Sequence, residues 1–376
     1  VGSIRLLLAL AVVFSHATAC GISMLPGHVA VQAFFIVSGF YMSLILNEKY
    51  KNHSVLVFYS NRFLRLFPTY VVVMIASLVV LRAVGVGVFT RTDEFEELFT
   101  HNLFVATSYV WTNLAIIGQE VLFLLGIDPV SHAFYWAPNG MASAKAWHHL
   151  LVPQAWSLSL EWYFYLLAPF VLRLRLCWIA LIFVSSLLLR FFILSLDPEY
   201  DLFVRRFFPA ELCLFLAGSI SYYLFTHVKD FRHKRSLGAI CWATLPVLLI
   251  FYDTINKAYA LSVMGFAFFV SMPFIFDLTK NNRTDRFLGN LSYSIYMVHF
   301  LIIALVEEYR EEYSIFMVLL PILVASLIVY FSIEAPVDRW RQGRVEETAS
   351  ALKRPWLPIT AMRNRSSVFL AQNMKA

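Results

Sequence analysis

Arg5 and His16 bracket the stretch RLLLALAVVFSH. Eleven residues on a helix turn through about 1,100°, which is three turns plus roughly 20°, over about 16 Å. The two side chains therefore share one face of an apolar segment. Ionisable residues inside such segments are costly, and a function is the default hypothesis for them. The arginine suits a phosphate arriving from the cytoplasm. The histidine, deeper than mid-membrane, suits a proton acceptor for a hydroxyl nucleophile. The same spacing also fits a snorkelling arginine and a histidine hydrogen-bonded across helices.

Four further groups bear on the same chemistry. Arg62 and Arg65, in NRFLRLFP, are three apart and face one way as the third span begins. They fit a clamp on phosphate or carboxylate, or ordinary positive charge at a membrane edge. Glu161, in WSLSLEWYFYLLAP, sits just inside the outer end of its span. It fits a carboxylate that orients a base or holds a sugar hydroxyl, or an interfacial acid within a belt of Trp156, Trp162, Tyr163 and Tyr165. Ser292, Tyr296 and His299 follow one helical face, as cavity lining or as hydrogen-bonding glue between helices. Ser38 is expected to line the same cavity. Glu334 closes the last span and calls for a basic partner.

These residues need a membrane scaffold. The chain has 376 residues, 60% hydrophobic and 14% charged, with a mean hydropathy of +0.68. Soluble domains sit nearer half apolar and a quarter charged. Ten apolar spans are expected near 4–22, 28–46, 66–88, 156–172, 176–196, 208–226, 237–253, 259–277, 287–306 and 314–333. Their apolar runs are continuous, so they are helices and not barrel strands. The fold class is an all-α polytopic integral membrane protein.

Sixteen basic residues fall in the loops of one side. They are Lys49, Lys51, Arg62, Arg65, Arg173, Arg175, Lys229, Arg232, Lys234, Arg235, Lys280, Arg283, Arg286, Arg339, Arg341 and Arg344. Seven fall on the other, Arg82, Arg91, Lys145, Arg205, Arg206, Lys257 and Arg310, among two acidic clusters. The positive side is cytoplasmic, which places both termini inside. The net charge of +6 is thus topology, and nucleic acid is excluded as a partner because no basic run interleaves with aromatics.

Segment 89–155 is expected to be a re-entrant or interfacial helix plus a loop, acting as a cap or as passive cover. Residues 1–340 form the membrane domain, and 341–376 form a short basic tail with Pro355 and Pro358. Arg5 followed by an apolar run and ATAC at 17–20 imitates a secretory signal, but cleavage would leave an odd number of spans. Cys20, Cys177, Cys213 and Cys241 make no metal-ligand spacing and read as buried thiols. No metal is expected.

In this order, the segments resemble the membrane-bound acyltransferase 3 family over about residues 3–340. Arg5 and His16 match its Arg-x10-His, FFIVSGF at 34–40 its second-span signature, and RFLRLFP its Arg-x-x-Arg. WSLSLEWYFYLLAP, LGNLSYSIYMVH and EAP match its later motifs. The resemblance implies a ten-helix O-acyltransferase of the bacterial inner membrane. It would move an acyl group, usually acetyl, from cytoplasmic acyl-CoA to a carbohydrate or lipid-linked saccharide. It implies His16 as the catalytic histidine and Glu161 as a site carboxylate. Arg5, Arg62 and Arg65 would bind or position the donor, with acyl-CoA as co-substrate and no tightly bound cofactor.

One departure is Gln32, where members often carry an acid before the FF pair. The soluble hydrolase-like domain that some members add after the last span is not expected here. The rival reading is a proton-coupled transporter or glycoside exporter, with His16, Glu161 and His299 as the relay. It lacks a pair of broken helices in matching halves.

Overall fold

In the computed structural model, residues 1–17, 25–228, 230–255 and 257–353 are described. Cys20, most of the ATAC stretch, Lys229 and the end of the tail with Pro355 and Pro358 lie outside them. The helices are α1 (Gly2–His16), α2 (Gly27–Asn47), α3 (Val55–Val84), α4 (Thr92–His101), α5 (Leu103–Ala115) and α6 (Gln119–Leu122). After a hairpin come α7 (Trp156–Val171), α8 (Leu176–Leu196), α9 (Asp201–Arg206), α10 (Phe208–Val228) and α11 (Lys234–Ile250). The last are α12 (Lys257–Thr279), α13 (Arg283–Tyr309), α14 (Ile315–Val329) and α15 (Ala335–Lys353).

Among the described residues, every expected span overlaps one of these helices. Seven helical runs there have at least 18 residues and are apolar enough to cross a bilayer, the last being α14 continued into α15 over Ile315–Val345. The other three spans are the shorter α1, α7 and α11. The protein is an all-α polytopic membrane protein.

Helix ends explain several boundaries. α3 begins eleven residues before the expected span because Ser54 caps it, its Oγ accepting from Val57 N at 3.4 Å. It stops at Gly85, whose φ of +83° suits a residue without Cβ. Arg62 and Arg65 therefore lie on the helix itself and not in the loop before it. α1 is capped from another helix. The Asp285 carboxylate accepts from the backbone N–H groups of Gly2 at 2.7 Å and Ser3 at 2.8 Å, which fixes α1 against α13.

The core pairs are α1 with α13 and α2 with α10. In the second pair the backbones touch. A Cβ on Gly39 would lie 1.8 Å from the Phe215 carbonyl oxygen, and one on Gly218 would lie 1.8 Å from that of Ile36. Small residues permit this approach in lipid. A buried polar triad adds α8 to the pair. Arg190 donates to Glu211, and Gln32 Nε2 donates to the same carboxylate at 2.9 Å. The departure at Gln32 thus has a structural counterpart: the acid facing α2 comes from α10.

Contacts gather the basic loops at one end. Arg173 reaches the Tyr50 carbonyl, Arg341 reaches that of Asn61, and His53 meets that of Val345. The start of α1 lies at this end beside Asp285. At the opposite end, Phe89 packs on Phe300 and Thr90 meets His149. By the positive-inside rule the first end is cytoplasmic.

Segment 89–155 contains no full crossing. α5 has thirteen residues, with Leu103, Phe104, Val110, Trp111 and Leu114 exposed, as suits a helix lying against lipid. A two-stranded antiparallel hairpin was not foreseen: β1 (Leu125–Ile127) pairs with β2 (Phe134–Trp136). The 340/341 boundary falls inside α15, so the start of the expected tail continues a helix. Of the thiols, Cys213 is buried as expected. Cys177 is exposed because its position on α8 faces outward.

Candidate active site

Two cavities lie along the bundle and share Val31 and Tyr296. The inner chamber, toward the basic end, has a volume of about 230 Å³ and is lined by Arg5, Ser38, Arg62, Arg65, Glu161 and Tyr165 among others. The outer chamber, about 840 Å³, is walled by α1, α2, α9 and the 89–155 cover, with His16 on its lining.

Glu161 does not stand at the outer edge. α7 packs on α2 and α3, which turns the carboxylate into the inner chamber among the arginines. Its Oε1 accepts from Ser38 Oγ at 2.8 Å and from the Tyr165 hydroxyl one helical turn later. Two of the six motifs thus meet in one hydrogen bond.

The three arginines differ in what already holds them. Arg65 Nη1 lies 3.6 Å from Asp338 and 3.9 Å from Glu334, so its charge is balanced inside the protein. Glu334 has the basic partner expected of it and accepts from Ser294 Oγ at 2.5 Å. A wide π-type turn over Tyr330–Glu334, between α14 and α15, brings that carboxylate into place. Arg5 and Arg62 have no ion pair among the described residues. Arg62 places its guanidinium near the Phe58 and Tyr165 rings, at 5.8 and 5.9 Å, and its Nε has no hydrogen-bond partner among the described residues. These two cations are the ones available to an anionic ligand.

His16 ends α1 and is half-buried. Its ring lies 4.2 Å from that of Phe300 and 5.5 Å from that of His299. Gly27 makes room for it. A Cβ there would come within 3.5 Å of His16 Nε2 and 2.4 Å of Ser15 Oγ. His299 is fully buried, with Nδ1 2.7 Å from the Tyr296 carbonyl. A carbonyl only accepts, so Nδ1 carries the proton and the neutral ring's Nε2 is a bare lone pair. That Nε2 has no partner among the described residues.

The face of Ser292, Tyr296 and His299 divides its duties. Ser292 lines the inner chamber and bonds back to the Gly289 carbonyl at 2.8 Å. Tyr296 forms the partition. Its hydroxyl donates to the Gln154 carbonyl at 2.9 Å and lies 2.7 Å from Ser157 Oγ. His299 lies behind His16. The structure therefore brings Arg5, Ser38, Arg62, Arg65, Glu161 and Ser292 together. It sets His16 across Tyr296 from them.

Sequence reasoning missed Ser157, Gln154 and Arg206, and placed Tyr165 in an aromatic belt. Ser157 and Gln154 stood inside the motif or beside it, but their partner Tyr296 is distant in sequence. Arg206 was counted only as an outer-loop charge. Spacing gave no hint of Glu97, His101 and His132 either, whose ligand atoms lie within 4.8 Å of one another. Those imidazoles stack face to face at 4.3 Å. Nitrogen lone pairs lie in the ring planes, so a shared cation would require the rings to turn.

The family model described as "Acyltransferase domain" (acyltransferase 3) matches residues 2–335. An "Uncharacterized protein" of Aquifex aeolicus (strain VF5) is 26% identical over 190 residues, covering 48% of this chain and 84% of that protein. A "Putative O-acetyltransferase" of Staphylococcus aureus (strain COL) is 23% identical over 320 residues, covering 76% of this chain and 48% of that protein. A protein of the same description in strain N315 matches equally. The chain spans about half the length of these staphylococcal relatives. No solved structure matches the chain.

Proposed function

Because the chain belongs to the acyltransferase 3 family and is an integral membrane acyltransferase, we propose that it moves an acyl group, acetyl in the simplest case, from acyl-CoA to a carbohydrate hydroxyl. The phosphates of the donor dock at Arg5 and Arg62, at the cytoplasmic mouth of the inner chamber. The pantetheine arm follows the groove along α1, past Glu161 and Ser38, and carries the thioester to Tyr296. The acceptor, a free or lipid-linked saccharide, enters the outer chamber. The apolar helices and the bacterial relatives support a place in a bacterial inner membrane.

His16 is the general base in this reading. Its imidazole takes the proton of the acceptor hydroxyl as the oxygen attacks the thioester carbonyl. The tetrahedral intermediate then expels the CoA thiolate, which takes the proton back from His16. The products are the O-acyl ester and CoA-SH. Glu161, held by Ser38 and Tyr165, positions the arm. Arg65 is the framework that fixes α3 to α15.

The observation that supports this reading best is the pair of chambers meeting at Tyr296, with unpaired cations on one side and an open imidazole on the other. The test uses purified protein and radiolabelled acetyl-CoA. His16→Ala removes a base contributing about 10²–10⁴-fold, so transfer should fall by at least ~100-fold while the protein still elutes as a folded species. Arg62→Ala should raise the KM for acetyl-CoA with kcat little changed. Full activity without His16 would sink the reading.

A further inference from the structure

The outer chamber contains a charge with no ion pair among the described residues. Arg206 ends α9, and only 8% of it is exposed. Its guanidinium carbon stands 3.5 Å from the Trp156 ring centroid and 4.3 Å from that of Phe123. Its Nε and Nη1 have no hydrogen-bond partner among the described residues. No carboxylate among the described residues pairs with it, whereas its neighbour Arg205 is matched by Asp201 at 2.7 Å. Lys145 lines the same chamber, again with no ion pair among the described residues, and Asp253 is the lining carboxylate.

An arginine stays protonated in such surroundings. Burying that charge with unspent donors is costly. The two rings attract the cation, but they do not satisfy its N–H groups. The arrangement therefore suits a bound anion, and a planar guanidinium fits a carboxylate or phosphate in two-pronged fashion.

The wall beside it suits a sugar ring. Trp147 stacks flat on Phe123 at 4.8 Å and 3°, and Phe89 meets Trp147 edge-on at 4.9 Å. Such aromatic faces with a few directed polar groups are typical of small-molecule sites, and about 840 Å³ is ample for one.

We propose that the outer chamber takes an anionic acceptor. This is a saccharide bearing a carboxylate or phosphate near the hydroxyl to be acylated, and Arg206, aided by Lys145, recognises that anion. This rests on the reading of the outer chamber as the acceptor site of an acyltransferase. Arg206 is thus a specificity residue, distinct from the donor-binding arginines across Tyr296.

The test has a binding arm and a transfer arm, both on the full chain in detergent. Trp156 lies against Arg206, so tryptophan quenching reports occupancy. The probes are methyl glucoside, methyl glucuronide and glucose 1-phosphate. Wild type should bind at least one charged probe about tenfold more tightly than the neutral one, and which of the two separates carboxylate from phosphate. Arg206→Gln should abolish that preference. Arg206→Lys should retain part of it, and covers the case in which the glutamine variant does not fold. Equal binding of neutral and charged probes by wild type, or an undiminished preference in both variants, would overturn the proposal. In the transfer arm, acetyl-CoA is supplied with the same acceptors. Charged-probe binding without transfer to any acceptor would fail the acyltransferase reading and leave the anion site standing. Transfer indifferent to acceptor charge would do the reverse.

Discussion

Charge-neutralising Glu211→Gln should destabilise the protein far more than a surface change of the same kind. Arg190 and Glu211 have side-chain exposures of 5% and 0%, which removes the pair from the class of surface bridges worth about 0–1 kcal/mol. The Gln32 amide also donates to Glu211, so the carboxylate joins α2, α8 and α10. Removing one member of a buried pair costs about 3–5 kcal/mol, because the partner charge is left uncompensated. Arg190→Met alone should cost a similar amount by stranding the carboxylate. The double replacement removes both charges, so it should cost less than either single one and fall within ~1 kcal/mol of wild type. Reversible unfolding in mixed detergent micelles gives the four free energies, and the cycle gives the coupling. Strictly additive singles, or single costs under ~1 kcal/mol, would refute the reasoning and reduce the triad to incidental contact.

Two further outcomes follow from other parts of the structure. Tyr296→Ala merges the chambers and admits water to the thioester, so acceptor-independent hydrolysis of acetyl-CoA should rise against transfer by about tenfold, or ~1.4 kcal/mol; an unchanged ratio would remove Tyr296 as the partition. In the outer cover, burial lowers the His149 pKa to about 4, partly offset by Glu94. The unfolded chain, with an ordinary value of about 6.5, then binds the extra proton, so stability is full above pH ~6.5 and declines toward pH 4. The melting temperature should drop between pH 7.5 and pH 5, and drop less in His149→Gln.

The legible part of the site was the part encoded within single helices. Arg5 and His16 share a face because about three turns separate them, and Ser292 and Tyr296 because about one turn does. The ten spans were legible because lipid demands long apolar runs. Glu161 shows the limit. Its place near the start of α7 suggested an outer-edge acid, but the packing of α7 against α2 and α3 decides which chamber it enters. Arg206 was illegible for a similar reason. A charge in an outer loop reads as topology until Phe123 and Trp156, 83 and 50 positions upstream, close over it. Pairings between distant segments leave no periodic trace. The β1–β2 hairpin was hidden for a different reason: strands of three residues each are too short to show a period-two alternation.

The wide turn at Tyr330–Glu334 sets the phase of everything after it. A π-type turn amounts to one residue inserted into an α-helix. Deleting a residue there would restore ordinary winding and leave α15 nearly in phase, whereas inserting one would rotate α15 by about 100°. After an insertion Asp338 would leave Arg65, and Arg341 would leave the Asn61 carbonyl that it reaches at 3.2 Å. The segment can therefore lose one residue and still be intolerant of gaining one. A length-scanning library across 326–338 should tolerate single-codon deletions at 330–334 better than single-codon insertions.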